Sequence, residues 1–98
     1  MTLGQKQRQF TRMIGLLIEY AYQNGYELTF GGKKSYSSAN SLHKERLAVD
    51  FNLFKNGVWL QKTEDFTQLG QYWESLGGTW GGRFQDGNHF SLEHQGRK

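Results

Sequence analysis

Ninety-eight residues make one domain near the lower end of what buries a self-sufficient core, so a bound metal would help to hold it. The absence of cysteine excludes a disulfide framework and any thiolate metal site. Twelve Lys and Arg against nine Asp and Glu leave a net charge of +3 and a pI near 9.3, which favours approach to an anionic polymer such as cell wall or nucleic acid. Apart from Lys33-Lys34 and Arg97-Lys98 the basic residues are scattered, the pattern of an ordinary soluble surface.

In chain order, Phe10, Met13, Ile14, Leu17, Ile18 and Ala21 fall on one face of a helix spanning about residues 4–24, with Gly25 as its stop. Tyr26, Leu28 and Phe30 alternate with polar residues as in a half-buried strand that ends at Gly31-Gly32. Residues 33–40 are polar, serine-rich and without period, a loop. In the run 47–54, Leu47, Val49, Phe51 and Leu53 share one strand face, while Ala48, Asp50 and Asn52 point the other way. Asn56-Gly57 before Val58-Trp59-Leu60 is a type I′ hairpin signal. Phe66, Leu69, Tyr72, Trp73 and Leu76 recur at helical spacing, with Thr63 or Asp65 as candidate N-caps and Gly77 at the end. Glycines at 77, 78, 81, 82 and 87 allow tight turns, and residues 89–93 resume alternation as a last strand. The fold class expected is α+β, two helices against a small antiparallel sheet, forming a single domain over 1–98 without a separate cell-wall-binding module.

The chemistry concentrates at His43, Asp50 and His89, with a second acid, Asp86, three residues before His89. Two imidazoles and a carboxylate are the ligand types of a catalytic zinc, which keeps one coordination position open. An unligated carboxylate nearby can serve as general base. The same types also accommodate other divalent ions, and such a residue alone is more often an ordinary surface or hydrogen-bonding group than a ligand. His94 follows His89 by five on the expected strand, faces the opposite side, and is left out of the site.

The segments SLHKERLAVDFN and FQDGNHF resemble the zinc peptidases that include D-Ala-D-Ala carboxypeptidases and phage endolysins. Within that group SLHKERLAVDFNLFKNG, LGQYWESLGG and TWGGRFQDGNHF are most similar to the short phage enzymes, and the likeness runs over about residues 31–90. The resemblance implies one zinc ion held by His43, Asp50 and His89, with Asp86 as general base and acid. It further implies hydrolysis of the peptidoglycan stem peptide, between L-Ala and D-Glu, for host cell lysis. A D-Ala-D-Ala carboxypeptidase or dipeptidase is the near alternative. One departure is that the commoner first motif has glycine where this chain has Arg46, which puts the local turn geometry in question.

Lesser candidates surround this set. Related enzymes place a basic residue upstream of the first histidine to share the oxyanion of peptide hydrolysis, a role open to Lys33 or Lys34, with Arg83 a competitor. Ser41 reads as a hydrogen-bonding support of the site or as a plain turn residue. Trp73 and Trp80 read as core, although Trp80 beside Gly81-Gly82 is placed to line a cleft. The polar N-terminus MTLGQKQRQF carries no secretory signal, and no stretch approaches the ~20 apolar residues of a membrane span. A monomer made in the bacterial cytoplasm is therefore expected, acting in the periplasm or cell wall after export by a separate holin-like agent. Outside enzymology, the charge together with three Trp, five Tyr and seven Phe would suit a small nucleic-acid-binding module. A peptidase fold kept only for binding is disfavoured, because every ligand position is filled.

Overall fold

A computed structural model describes residues 1–31 and 41–98; the expected loop at 33–40 lies outside the described residues. Helix α1 (Leu3–Gln23) opens with a reciprocal cap in which Thr2 Oγ1 accepts from the Gln5 N–H and Gln5 Oε1 accepts from the Thr2 N–H. Phe10, Met13, Leu17 and Ala21 of its apolar stripe are buried, whereas Ile14 and Ile18 pack at the margin. Among the described residues no helix is long and apolar enough to cross a membrane.

Strand β1 (Tyr26–Phe30) lies antiparallel to the long β2 (Ala48–Lys55), with Phe30 opposite Phe51. Asn56 and Gly57 adopt φ of +53° and +77°, the backbone of a type I′ turn, and return the chain into β3 (Val58–Leu60). A 3-10 turn (Thr63–Phe66) leads into helix α2 (Thr67–Ser75). Two further strands, β4 (Thr79–Trp80) and β5 (His89–Ser91), complete an antiparallel sheet of order β1-β2-β5-β4, with β3 also on β2. The second edge of β2 is thus divided: Ala48, Val49 and Asp50 face β5, and Leu53, Phe54 and Lys55 face β3. Between them the Phe51 N–H donates to the Asn88 carbonyl at 3.0 Å.

The α+β class, both long helices and the hairpin match expectation, while three local features differ. Neither Thr63 nor Asp65 caps α2, which starts from Phe66 without a side-chain cap. The Asp65 carboxylate accepts from the Lys62 N–H, and the Thr63 hydroxyl accepts from the Gly87 N–H. The last strand stops at Ser91, although the Leu92 N–H still bonds the Leu47 carbonyl at 2.9 Å. Strand β4 is additional, since two residues among glycines carry no readable period.

Both buried tryptophans are core residues with a polar handle. Trp73 is fully buried, meets Phe10 and Phe90 edge-on, and donates Nε1–H to the Ser91 carbonyl at 2.9 Å. Trp80 donates to the Gly87 carbonyl at 2.8 Å. Trp73 therefore ties α2 to β5, and Trp80 closes the glycine-rich segment on itself.

Residues 42–46 form a single helical turn whose exit explains the Arg46 departure. The Leu47 N–H reaches the Leu42 carbonyl at 2.9 Å and the Arg46 N–H reaches the His43 carbonyl at 3.1 Å, the paired bonds of a Schellman stop. Leu42 and Leu47, the two positions whose apolar side chains accompany that motif, are both buried in the core. Arg46 occupies its left-handed position at φ +56°, where a Cβ costs about 1–2 kcal/mol and glycine is at ease. Allowing for the greater freedom of glycine in the unfolded chain, Arg46→Gly is expected to stabilise the protein by up to about 1 kcal/mol. Arg46→Val should destabilise it by about 1–2 kcal/mol, so the two variants should shift Tm in opposite directions in thermal unfolding.

Candidate metal centre

The alternation of β2 sends Phe51 into the core and Asp50 to the other face. In the β2–β5 ladder Asp50 stands directly opposite His89, and His89 Nδ1 lies 3.4 Å from Asp50 Oδ1. The turn at 42–46 brings in the third group, with His43 Nε2 3.6 Å from the same oxygen. The turn is itself anchored: Gln7 Nε2 of α1 donates to the Glu45 carbonyl at 2.7 Å, and Ser41 Oγ accepts from the His43 N–H at 3.2 Å. Ser41 thus acts on the backbone beneath His43. The two imidazole rings sit edge to face with centroids 5.3 Å apart.

One ligand atom from each of His43, Asp50 and His89 lies within 4.8 Å of the others. Tetrahedral zinc with bonds of about 2.0–2.2 Å requires ligand atoms about 3.3–3.6 Å apart, and the distances of 3.4 and 3.6 Å meet that requirement. The donor set is likewise a zinc set, two imidazoles and a carboxylate with no thiolate. Side-chain exposures of 15, 11 and 10% for His43, Asp50 and His89 show a shielded but reachable cluster. His89 is oriented from behind as well, because Nε2 lies 2.9 Å from the Lys98 main-chain oxygen. That oxygen only accepts, so Nε2 carries a proton, and Nδ1 is the ring nitrogen turned to Asp50, where it donates when the ring is charged and is left for a metal ion when the ring is neutral.

Electrostatics divides the histidines. Burial pulls His43 below the usual imidazole range, further lowered by His89 and opposed by Asp50 and Asp86. His89 also loses solvation, but the hydrogen bonds to Asp50 and Lys98, with the charges of Asp50 and Asp86, carry it above that range. Asp86 therefore acts on both imidazoles.

Asp86 is exposed on a loop that tight contacts hold in place. Its N–H donates to the Gly81 carbonyl at 2.8 Å, and its carbonyl accepts from the His89 N–H at 3.0 Å. The Thr63 hydroxyl holds the next residue, Gly87. Sequence reading took Thr63 as a helix cap; a threonine 24 residues from its partner carries no local signal of this role. Phe84, half exposed, borders the His89 ring at 5.9 Å.

The remaining candidates are dispersed. Arg83 makes a two-pronged contact with Glu74, at 2.8 and 2.7 Å, and stands 5.5 Å over the Trp80 ring. That ion pair holds the Glu74 carboxyl below the usual carboxylate range and raises Arg83. Lys33 and Lys34 lie outside the described residues. His94 stays apart from the cluster, as expected, bridging to Arg97 with Nδ1 3.5 Å from Lys6 Nζ. A family model described as D-alanyl-D-alanine carboxypeptidase matches residues 34–92, more than half of the chain, including His43, Asp50, Asp86 and His89. A search of curated proteins finds no match.

The backbone of Gly81 marks how closely the Asp86 loop is packed. A Cβ there would meet the Asp86 carbonyl oxygen at 2.1 Å and His89 Cβ at 2.7 Å, so neither loop nor strand could stay in place. Gly81→Ala is expected to cost about 2–3 kcal/mol, at the upper end of overpacking, measured as a drop in denaturation midpoint against wild type.

Proposed function

Since the chain belongs to the D-alanyl-D-alanine carboxypeptidase family, we propose that it is a zinc-dependent peptidase of the peptidoglycan stem peptide, hydrolysing the L-Ala-D-Glu bond as a phage lysin does. The observation that carries this reading is the convergence of His43, Asp50 and His89 within 4.8 Å of one another, with Asp50 3.4 and 3.6 Å from the two histidines, beside an exposed Asp86. Zinc held by these three side chains would supply Lewis-acid chemistry, polarising the scissile carbonyl and acidifying water. Asp86 accepts the proton of the attacking water as the new C–O bond forms, then returns it to the departing amine as the C–N bond breaks. The burial of His43 and His89 strengthens every charge interaction at the reacting centre.

The surroundings of Asp86 offer polar side chains suited to a peptide backbone. A cleft of about 240 Å³ adjoins it, and Asn52, Gln61, Gln85, Asn88 and Trp59 are among its lining residues. Carboxamides match the donors and acceptors of a peptide backbone. The carboxypeptidase reading, which the description of the matching family model favours, is separated by product. Zinc-loaded protein incubated with Gram-negative peptidoglycan, with a chelated control, should release fragments cut after L-Ala. Free D-Ala would assign the carboxypeptidase, and peptidoglycan left intact in both samples would refute the hydrolase.

Two further outcomes follow from the roles. Asp86→Asn should retain stoichiometric zinc and lose about 10²–10⁴-fold in kcat, whereas His43→Ala and His89→Ala should lose the metal itself. Metal analysis beside turnover separates them, and a His43→Ala variant that kept full zinc would sink the ligand assignment. Zinc needs neutral imidazole. Because His89 holds its proton above the usual range, zinc affinity should already fall as pH drops towards 6.5, the ordinary imidazole value. The lowered His43 should add its proton only at more acid pH. Competition titrations across pH 5 to 8 should therefore bend in two stages.

A further inference from the structure

Residues 93–98 close over the back of the site by contacts that sequence reading did not anticipate. The chain reverses at Gln95 and Gly96, whose φ values are +51° and +78°. His94 and Arg97 exchange both backbone hydrogen bonds across that turn, at 3.1 and 3.0 Å. This is the two-residue type I′ geometry of a hairpin. On its return arm the Lys98 main-chain oxygen receives two hydrogen bonds, from His89 Nε2 and from Ser91 Oγ, each 2.9 Å long. Ser91 is fully buried and His89 nearly so.

The same segment is fastened at two other points. Arg97 Nη2 stands 3.7 Å from Glu45 Oε1, on the turn that carries His43. Lys6 Nζ of α1 donates to the Glu93 carbonyl at 2.8 Å. The tail therefore touches the segments bearing both histidines of the triad.

We infer that residues 94–98 form a latch whose Lys98 main-chain oxygen sets the His89 tautomer and ring orientation, making His89 an Nδ1 ligand and tightening metal binding. Histidines that ligate metals characteristically donate their second ring N–H to a carbonyl or carboxylate, and loss of that partner costs about 10–100-fold in metal affinity. Here the partner is a main-chain oxygen delivered by a reverse turn, so the positioning element is a backbone conformation rather than a side chain. Without it the Nε2–H would turn to water, and the imidazole could exchange tautomers and swing away from Asp50.

The inference rests on His89 being a metal ligand, and the test keeps the two apart. Zinc affinity is measured by competition with a chromogenic chelator for the intact chain, a chain ending at Gly96, Gly96→Val and Gly96→Asn. Histidine ring ¹⁵N spectra are recorded with and without zinc, and circular dichroism reports the fold. Gly96→Val keeps every residue but opposes the positive φ, whereas asparagine tolerates it. The shortened chain and Gly96→Val should bind zinc 10–100-fold more weakly and show His89 as a tautomer mixture without metal. Gly96→Asn should restore both readouts. A folded shortened chain, or Gly96→Val should the shortened chain not fold, that matches the intact protein in affinity and tautomer overturns the latch. An intact chain that takes up no zinc refutes the ligand reading, while the metal-free His89 spectra still decide the latch.

Discussion

The register between β2 and β5 is the constraint on which the site depends. Asp50 and His89 meet because they are cross-strand partners, and Asp50 leaves the core because Phe51 enters it. The period of a strand is two, so a slip by one residue would bury the aspartate among Phe90 and Leu53 and expose Phe51. Burying a carboxylate without compensation costs several kcal/mol, and exposing Phe51 would forfeit about 1.5–3 kcal/mol more. The hydrophobic pattern that stabilises the sheet thereby also fixes the cluster.

Everything else at the centre is brought to that pair by backbone geometry. The Schellman stop at Arg46 turns His43 inward and delivers Leu47 to the core in the same movement. The glycine-rich segment lets the Asp86 loop pass within contact of Gly81. Trp80 and Thr63 then grip Gly87, the residue after Asp86, from its carbonyl and amide sides respectively. The exposed Asp86 carboxylate thus stands on a backbone whose position is controlled.

Much of this was legible in the sequence because its signals are local. Helix periodicity, the alternation at 47–54 and the Asn56-Gly57 turn each reflect a geometry set within a few residues, and they located both long helices and the strand of Asp50. The types of His43, Asp50 and His89 suited a metal cluster, but it was the resemblance of the segments around them, more than their spacing, that pointed to one. What escaped reading was long-range or weakly encoded: the two-residue β4, Thr63 holding Gly87, and the tail returning to His89. Gln95-Gly96 makes the same kind of turn as Asn56-Gly57, but glutamine lacks the short side chain that eases asparagine into positive φ, so no comparable signal exists. The Arg46 departure shows a related limit. The sequence revealed that a position favouring glycine held arginine, while only the turn's hydrogen bonds explain why the chain tolerates it.

The three metal-binding candidates come from a turn, a central strand and a strand beyond the glycine-rich segment, so a bound ion would cross-link parts of the chain distant in sequence. Such a link stabilises the fold in proportion to how tightly the ion binds the native state and how little it binds the unfolded one. Tight binding in turn requires that little be ordered at the moment of binding. Here the ordering cost is met beforehand by the β2–β5 ladder, the Schellman stop and the main-chain oxygen behind His89, all of which are main-chain hydrogen-bonding devices. A chain of 98 residues has a small core with little stability in reserve. Placing the ligands through bonds that also make the fold lets one set of interactions serve both purposes.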